Sequence, residues 1–363
     1  MEKKYSRDGD GRTVLRSSIR EFLVSEAMNG LNIPTTRALA LTISDTEVYR
    51  EEIEKGAVLL RGSSSWIRFG SFEFAYLGSQ KYKHVKILAD YVINESFAHL
   101  KDSSNRYEEL YIDIVNNTIE MIALWQSVGF IHGVMNTDNM SIAGLTIDYG
   151  PFAFMENFQK NFICNSSDYD GRYSFEAQPY IAQWNLSILA KAFSLLVDED
   201  TLNRYNNTFI RRYKKRYFEL MSKKLGLLDY SSDKDKNLIV NLLIALEIDK
   251  IDYTNFFYKL STTEMLSMGK YNIDKWLKEY YKRVKNSSYL KEDIQKCMKK
   301  TNPKYVLKNY ILQEAIDKAL QNDFTLVDAL LKIAQNPYSE HKKYEHYSYA
   351  SKPDTQFIYS CSS

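Results

Sequence analysis

Residues 129–151 decide the predicted fold: they read GFIHGVMNTDNMSIAGLTIDYGP and interrupt a chain whose pattern is otherwise helical. Between Met140 and Ile147, apolar and polar residues alternate on both sides of Ala143-Gly144. An alternation with period two is typical of a strand with one buried face, so the stretch predicts a two-stranded hairpin. Ala-Gly is not a favoured pair for a two-residue turn, and a four-residue loop in the same register also fits the pattern.

This hairpin would bring two oxygen-bearing side chains together. Across the strands, Asn139 lies opposite Asp148, with Cβ atoms about 5 Å apart. A carboxylate beside an amide oxygen suits a magnesium ion that also binds phosphates. Asp138 is next along the chain and is available as a base. The stretch therefore predicts a metal and phosphate site, while a simpler interpretation, a polar turn followed by a strand end, stays open.

The spacing also parallels that of protein kinases. Kinases carry a His-x-Asp motif with an Asn seven positions after the His, followed by Asp-Phe-Gly. Here Asn139 follows His132 by seven positions, and residues 148–150 read Asp-Tyr-Gly. The position of the kinase base is Val134, which cannot accept a proton, so either Asp138 replaces it or the chain is a pseudoenzyme. We interpret His132 as a structural loop residue rather than a catalyst.

Composition narrows the class of protein further. The chain has 363 residues, 44% of them hydrophobic, 26% charged, with a formal net charge of +2. These values are ordinary for a soluble globular protein and argue against a dedicated nucleic-acid binder, although a basic, aromatic run at 211–217 keeps that alternative open. The sequence has 3 cysteines, too few for a disulfide framework, and no apolar run reaches the roughly 18 residues of a membrane span. We expect a cytoplasmic protein with no nucleic-acid or membrane partner.

Hydrophobic periodicity predicts an α+β protein with two parts. Residues 1–80 combine one helix with a few strands, and residues 81–363 are mostly helical. The predicted helices span 13–28, 85–100, 107–128 and 183–197, with helical pattern continuing from 202 to 331, and the predicted strands span 37–42 and 57–61.

With its neighbouring segments, the stretch resembles the SelO (selenoprotein O) family of protein adenylyltransferases, which have a protein-kinase-like (pseudokinase) fold. The similar segments are residues 5–12, 20–28, 33–39, 132–151, 178–186 and 335–338, the final Ser-Cys-Ser-Ser, and the two arginines Arg61 and Arg68. The resemblance covers nearly the whole chain. It implies a small N-lobe within residues 1–80 and a large, mostly helical C-lobe within residues 81–363.

The resemblance also implies an activity: transfer of AMP from ATP to Ser, Thr or Tyr hydroxyls of proteins, with Mg²⁺ or Mn²⁺ as cofactor. Asp138 resembles the catalytic base of the family. Asn139 and Asp148 resemble the metal ligands, and Asp148 also belongs to the nucleotide site. A protein kinase is the nearest chemical rival, and Val134 argues against it.

Other nucleotide contacts follow from the same resemblance. Arg61 and Arg68 resemble arginines that hold the phosphates, and Asp10-Gly11 resembles a nucleotide-contacting loop. Paired guanidinium groups suit a phosphoryl centre, because catalysis there depends mainly on positioning and charge neutralisation. Without the resemblance, an ordinary surface position is the better interpretation of both arginines.

The N-terminal end departs from the family pattern. Glu21 is similar to a helix glutamate that pairs with a strand lysine, and Glu26 competes for that role from the apolar side of the same helix. The family's glycine-rich segment and lysine strand have no counterpart before Tyr5, and Lys3 and Lys4 lack the corresponding strand. We therefore expect an incomplete N-lobe with an exposed sheet edge. The alternatives are a truncated, inactive remnant that acts as a binding module, and one half of a split enzyme completed by a separately encoded N-terminal fragment.

Redox control is a second departure. Family members can carry a cysteine near the Asp-Tyr-Gly-Pro segment that pairs with a C-terminal cysteine. Residues 151–153 contain no cysteine, whereas Cys361 is present near the C-terminus. Cys361 is then either a free thiol or paired with Cys164.

Overall fold

Helices predominate in this α+β protein, as the sequence predicts. The computed structural model describes residues 10–50, 52–230 and 233–351. The predictions made for the lysines before Tyr5 and for Cys361 lie outside these residues.

The N-terminal elements form a three-stranded antiparallel sheet with one helix packed against it. They are β1 (Thr13–Val14), α1 (Leu15–Gly30), β2 (Arg37–Tyr49) and β3 (Ile53–Gly62). The long strand β3 lies in the centre, between the two-residue β1 and the edge strand β2. Leu15, Ile19 and Leu23 recur at helical spacing along α1 and are buried. One face of α1 therefore joins the hydrophobic core.

The rest of the described chain consists of helices and one two-stranded ladder. The helices are α2 (Phe69–Leu77), α3 (Lys81–Ser96), α4 (Arg106–Val128), α5 (Gln178–Phe193), α6 (Glu199–Lys224), α7 (Asp233–Ile248), α8 (Tyr253–Thr262), α9 (Tyr271–Lys285), α10 (Lys291–Thr301), α11 (Asn309–Leu320) and α12 (Thr325–Gln335). Short 3-10 turns lie at Ala98–Leu100, Thr137–Asn139, Phe175–Ala177 and Lys342–Ser348. None of the described helices has the length and apolar character needed to cross a membrane.

Most predicted elements are confirmed with displaced ends. The strand predicted over 37–42 continues to Tyr49, because an irregularity in the ladder between Ile43 and Glu47 accommodates the polar residues there. The helix predicted over 183–197 begins earlier, at Gln178. A proline in the first turn of a helix is well tolerated, and this signal at Pro179 marks the observed start.

Helix α4 ends where the sequence predicts, at a left-handed glycine. Gly129 has a φ of 73°, and its N–H bonds to the carbonyl of Gln126. The chain then enters β4 (Phe130–Ile131), which pairs antiparallel with β5 (Ala153–Phe154). The stretch that carries the candidate chemistry is therefore a long loop closed at its base by this ladder.

The hairpin predicted over 140–147 is wrong. The main-chain groups of its two arms bond to other segments instead of to each other. Ile142 N donates to Ile67 O at 3.0 Å, and Thr146 N donates to Pro34 O at 2.8 Å. The first arm is thus anchored to the segment before α2, and the second to the segment between α1 and β2.

The alternation of apolar and polar residues has a different origin here. Met140, Ile142 and Ile147 are buried, as the hairpin prediction required. Ser141 and Thr146 on the supposed exposed face are buried as well. The loop is covered on both sides, so its small polar residues are packed against protein rather than facing solvent.

Candidate active site

Arg68 joins the segments that carry the predicted base and metal ligands. It lies immediately before α2, and its Nη1 donates to the carbonyl oxygen of Asp138 at 2.8 Å. The same Nη1 lies 2.7 Å from Asp148 Oδ2, and Nη2 donates to Asp148 Oδ1 at 3.2 Å. A backbone bridge between Arg68 and Ser141 fixes this arrangement. Three of the predicted site residues, Arg68, Asp138 and Asp148, are therefore brought together.

The carboxylate of Asp138 faces the first turn of α2. A Cβ built on Gly70 would lie 2.0 Å from Asp138 Oδ1 and 3.0 Å from its Cγ. Beside it, Thr137 Oγ1 donates to Glu73 Oε2 at 2.7 Å, so α2 also holds the turn that carries Asp138. Asp138 itself is half-buried, which suits a base that must meet a hydroxyl arriving from solvent.

Asn139 and Asp148 keep half-buried side chains with oxygen donors. Asn139 Nδ2 donates to Val134 O at 2.9 Å, which fixes the amide group and turns Oδ1 away from that carbonyl. Asp148 has a left-handed backbone with φ 54°. That conformation is uncommon for a residue with a Cβ and is found disproportionately at functional sites.

Arg61 and Glu21 form a second ion pair nearby. The Nη1 of Arg61 donates to Glu21 Oε1, and its Nη2 donates to Thr36 Oγ1. The Arg61 guanidinium also lies 5.9 Å from the ring centroid of Tyr149. Burial raises the pKa of Glu21, against the opposing attraction of Arg61. The resemblance implies a lysine partner for this glutamate, and among the described residues the partner is Arg61.

Glu26, which competed with Glu21 for this role, points elsewhere. Its carboxylate accepts hydrogen bonds from Arg37 Nε and Nη2, both at 2.8 Å, and from Ala38 N at 3.1 Å. Gln335 of α12 lies within 3.5 Å of the same carboxylate. Burial alone would raise the pKa of Glu26, but these hydrogen bonds outweigh burial and lower it. Glu26 therefore ties α1 to β2 and α12.

A cavity of about 620 Å³ opens between α1 and the sheet. Its lining includes polar residues of α1, the chain before it, β3 and the loop, among them Gly11, Ser17, Ser18, Glu21, Arg61 and Asp148. This volume is typical of small-molecule sites. Gly11, whose contact with the nucleotide stays a prediction, thus lines the cavity. The carboxylate of Asp10 is bound by Arg50 at 3.0 and 3.1 Å, and hydrogen bonds from Arg50 and from Arg12 N lower the pKa of Asp10 to about 2.

His132 is a buried structural residue of the loop. Its Nε2 lies 2.8 Å from Ile147 O, and its backbone N–H donates to Gln178 Oε1 at 3.0 Å. Burial lowers the pKa of His132. Cys164 is also buried, with its Sγ 3.8 Å from Ile131 O. Cys361, which the sequence leaves either free or paired with Cys164, is outside the described residues.

The site offers two candidate metal ligands rather than a closed cage. Within the part of the chain that the structure describes, no cluster of three or more His, Cys, Asp or Glu side chains could hold a metal ion. Asn139 and Asp148 supply an amide oxygen and a carboxylate. Such hard donors fit Mg²⁺ or Mn²⁺ when substrate phosphates and water complete the shell.

Two residues of the site were not predicted. Gly70 lets α2 approach Asp138, and a glycine in the first turn of a helix is a recognisable signal because it lowers helix stability. Thr36 binds Arg61 through its hydroxyl. It lies within the segment 33–39 that resembles the family, but a lone threonine gives no signal of its role.

Comparisons with known proteins identify the family of the chain. The family described as "Protein adenylyltransferase SelO" matches residues 2–335. A protein of Vibrio atlanticus named "Protein nucleotidyltransferase YdiU" is 46% identical over 351 residues, which are 94% of this chain and 72% of that protein. A protein of the same name from Myxococcus xanthus is 43% identical over 373 residues, covering 99% of this chain and 76% of that protein.

Proposed function

The chain belongs to the SelO family of nucleotidyltransferases, and from this premise we propose that it transfers AMP from ATP to Ser, Thr or Tyr hydroxyls of proteins. We also propose that its sheet and helices form a pseudokinase fold. In that fold the cavity between α1 and β3 receives the nucleotide, and the loop between β4 and β5 carries the reacting groups.

In the proposed reaction the acceptor hydroxyl oxygen attacks the α-phosphorus of ATP. The bond between the α-phosphorus and the oxygen that bridges to the β-phosphate breaks, so AMP becomes attached to the protein and pyrophosphate leaves. Asp138 takes the hydroxyl proton as the oxygen–phosphorus bond forms. Gly70 keeps the carboxylate of Asp138 close to α2, and Arg68 holds the main chain of the same residue through its carbonyl.

The arginines would neutralise the phosphates. Arg61 lines the cavity, and its Nε is buried without a hydrogen-bond partner among the described residues. Arg68 is one-third exposed, and it contacts Asp148, which lines the same cavity. Two guanidinium groups near a triphosphate supply the charge compensation that phosphoryl-type transfer requires.

A divalent cation would be held by Asn139 and Asp148. When bound, it would offset the negative charge of the phosphates. Arg68 would then have two functions, because it holds Asp148 in place before the metal and nucleotide arrive.

One observation carries the proposal: Arg68 Nη1 bonds at once to the carbonyl of Asp138 and to the carboxylate of Asp148. A single guanidinium thus orders the candidate base and the candidate metal ligand relative to each other. All three side chains keep partial exposure, as groups that meet a substrate must.

The test uses ATP labelled at either the α- or the γ-phosphate, with Mg²⁺ or Mn²⁺ and a mixture of acceptor proteins. We expect transfer of the α-label only, with the acceptor mass increased by an adenylyl group. Transfer of the γ-label would indicate a protein kinase instead. ATP binding by calorimetry without transfer of either label would indicate the alternative, a binding module.

A further inference from the structure

An unusual exposed surface begins beside Asp138 and follows α2. Phe74 and Leu77 are 81% and 76% exposed, although both are large apolar residues. Gly70, Phe74 and Leu77 are spaced at i, i+4 and i+7, so they lie on one face of the helix. A Cβ on Gly70 points at the carboxylate of Asp138. The exposed apolar side chains therefore continue the same face from the candidate base outward.

Positive charge lies next to the C-terminal end of α2. Lys81 and Lys83 are exposed in the first turn of α3, and neither is paired with a carboxylate of the described residues. The Lys81 ammonium lies 4.9 Å from the ring of Tyr76, which keeps it next to the end of α2. The first turn of α3 contains no acidic residue. Its helix dipole thus adds to the positive potential of the two lysines.

We propose that Phe74, Leu77, Lys81 and Lys83, here called the α2 face, form the docking surface for the protein substrate. The occupant is an extended segment that has an apolar side chain near the acceptor hydroxyl and an acidic residue beyond it. This inference rests on the proposed function, because it assigns the acceptor hydroxyl to Asp138.

The dimensions of the helix set the spacing of such a segment. Gly70 and Leu77 are separated by about 10 Å along the helix axis, at a rise of about 1.5 Å per residue. An extended chain advances about 3.3 Å per residue. The apolar side chain should therefore lie roughly two or three residues from the acceptor, and the acidic residue should follow it, where it meets the lysines.

Charge and continuity favour this occupant over others. A second copy of the chain would have to present an acidic, apolar segment to the same face. An uncharged apolar partner would leave the lysines unmatched. A substrate segment with an apolar and an acidic residue matches both the apolar side chains and the lysines. Such a segment must in any case reach Asp138, where the face begins.

The binding test uses a synthetic peptide with one Tyr, Leu and Phe two and three residues away, two Glu beyond them, and a fluorophore at the other end. Its affinity is measured by fluorescence anisotropy without ATP. We expect the double variant Phe74→Ser, Leu77→Ser to bind the peptide at least about tenfold more weakly than the natural chain does. The double variant Lys81→Gln, Lys83→Gln should lose a similar factor.

A matched control lies on α7, far along the sequence. Ile244 and Ile248 are also spaced by one helical turn and are 50% and 61% exposed. The double variant Ile244→Ser, Ile248→Ser should bind the peptide as the natural chain does. Thermal unfolding of every variant, followed by circular dichroism, checks that each is folded.

The outcomes separate docking from chemistry. A peptide that binds through the α2 face but receives no AMP from the natural chain would count against the proposed function and leave the docking surface standing. The docking proposal is overturned if the natural chain does not bind the acidic peptide, if it binds a Lys-for-Glu peptide equally well, or if the α2 variants bind undiminished. It is also overturned if sedimentation shows a dimer that the Phe74→Ser, Leu77→Ser variant dissociates.

Discussion

Two glutamates on α1, five positions apart, lie in contrasting surroundings. Glu26 is 2% exposed and accepts hydrogen bonds from a guanidinium, a main-chain N–H and a glutamine of α12. Glu21 lines the cavity and pairs with Arg61 beside Asp148. The pKa of Glu26 is lowered by its hydrogen bonds, whereas burial raises the pKa of Glu21. The packing side of the helix thus favours the ionised carboxylate, and the side that lines the cavity disfavours it.

The difference identifies which charges are built for stability and which for function. A carboxylate whose hydrogen bonds already favour its ionised form, such as Glu26, gains little from a ligand. A half-buried carboxylate whose ionised form is disfavoured, such as Glu21, is stabilised when a cation approaches it, whether arginine, lysine or metal. On this basis, substitutions of residues that line the cavity should change activity and leave stability nearly unchanged. Substitutions on the packing side of α1 should do the opposite.

The largest expected effect comes from Asp138→Asn. Removing the base should lower the rate of AMP transfer by about 10²–10⁴-fold. The free energy of unfolding should change by no more than about 0.5 kcal/mol, because the main-chain contact of Asp138 with Arg68 is kept. Rates with α-labelled ATP and urea unfolding provide the two measurements. Full activity in this variant would remove Asp138 from the mechanism.

A smaller loss is expected from Gly70→Ala. The new methyl group would lie 2.0 Å from Asp138 Oδ1, so the carboxylate must move. We expect transfer to slow by about tenfold or more, since a displacement of this size misplaces a catalytic group. Gly78→Ala at the other end of α2 is the matched control, because its methyl group would meet only ordinary contacts at 3.5 Å. Equal rates in the two variants would contradict the close approach of α2 to the base.

The comparison itself is tested by Glu26→Gln and Glu21→Gln. Glu26→Gln loses a two-pronged bond to Arg37 in a buried place and should cost about 2 kcal/mol of stability, with little change in nucleotide affinity. Glu21→Gln should cost less than about 1 kcal/mol, because its side chain is 24% exposed and its ionised form is disfavoured. It should instead weaken ATP binding, measured by calorimetry. If the two variants exchange these effects, the assignment of the two sides of α1 is wrong.

The sequence predicts the elements and the family of this chain well, and the path of the key loop poorly. Helix α4 and its stop at Gly129 follow from local spacing and a single glycine. The loop around Gly144 does not, because its main-chain partners, Ile67 and Pro34, are distant in sequence. The alternation of apolar and polar residues correctly indicates that the apolar ones are buried. A loop that is covered on both sides can show the same alternation as a strand.

The candidate site shows the same limit. Asp138, Asp148 and Arg68 are found from motif spacing and resemblance, and the structure brings them together. The choice of Arg61 as partner for Glu21 depends on how β3 packs over α1, which no local pattern encodes. Residues with a chemical role can therefore be recognised from the sequence, whereas the pairs that they form are recognised only from the structure.

The smallest expected effect concerns Lys224, a buried cation of α6 that, unlike Glu26, has no ion-pair partner among the described residues. It is 3% exposed, and its ammonium lies 4.3 Å from the ring centroid of Phe257 and 5.7 Å from that of Tyr253. Burial lowers the pKa of Lys224 to about 7. The unfolded chain keeps the ordinary value of about 10.4.

Between these two values the unfolded chain binds a proton that the folded chain does not, so stability rises with pH from about 7 toward 10. Urea unfolding at about pH 7 and pH 9 should show the natural chain gaining about 1–2 kcal/mol relative to Lys224→Met, in which this titration is absent. Lys278→Met, at an exposed position of α9, should behave like the natural chain. Parallel curves for the natural chain and Lys224→Met would mean that attraction to the two rings keeps the ammonium charged. Lys224, without an ion-pair partner among the described residues, would then be as well stabilised as Glu26. The contrast between Glu26 and Glu21 would no longer depend on hydrogen-bonded partners.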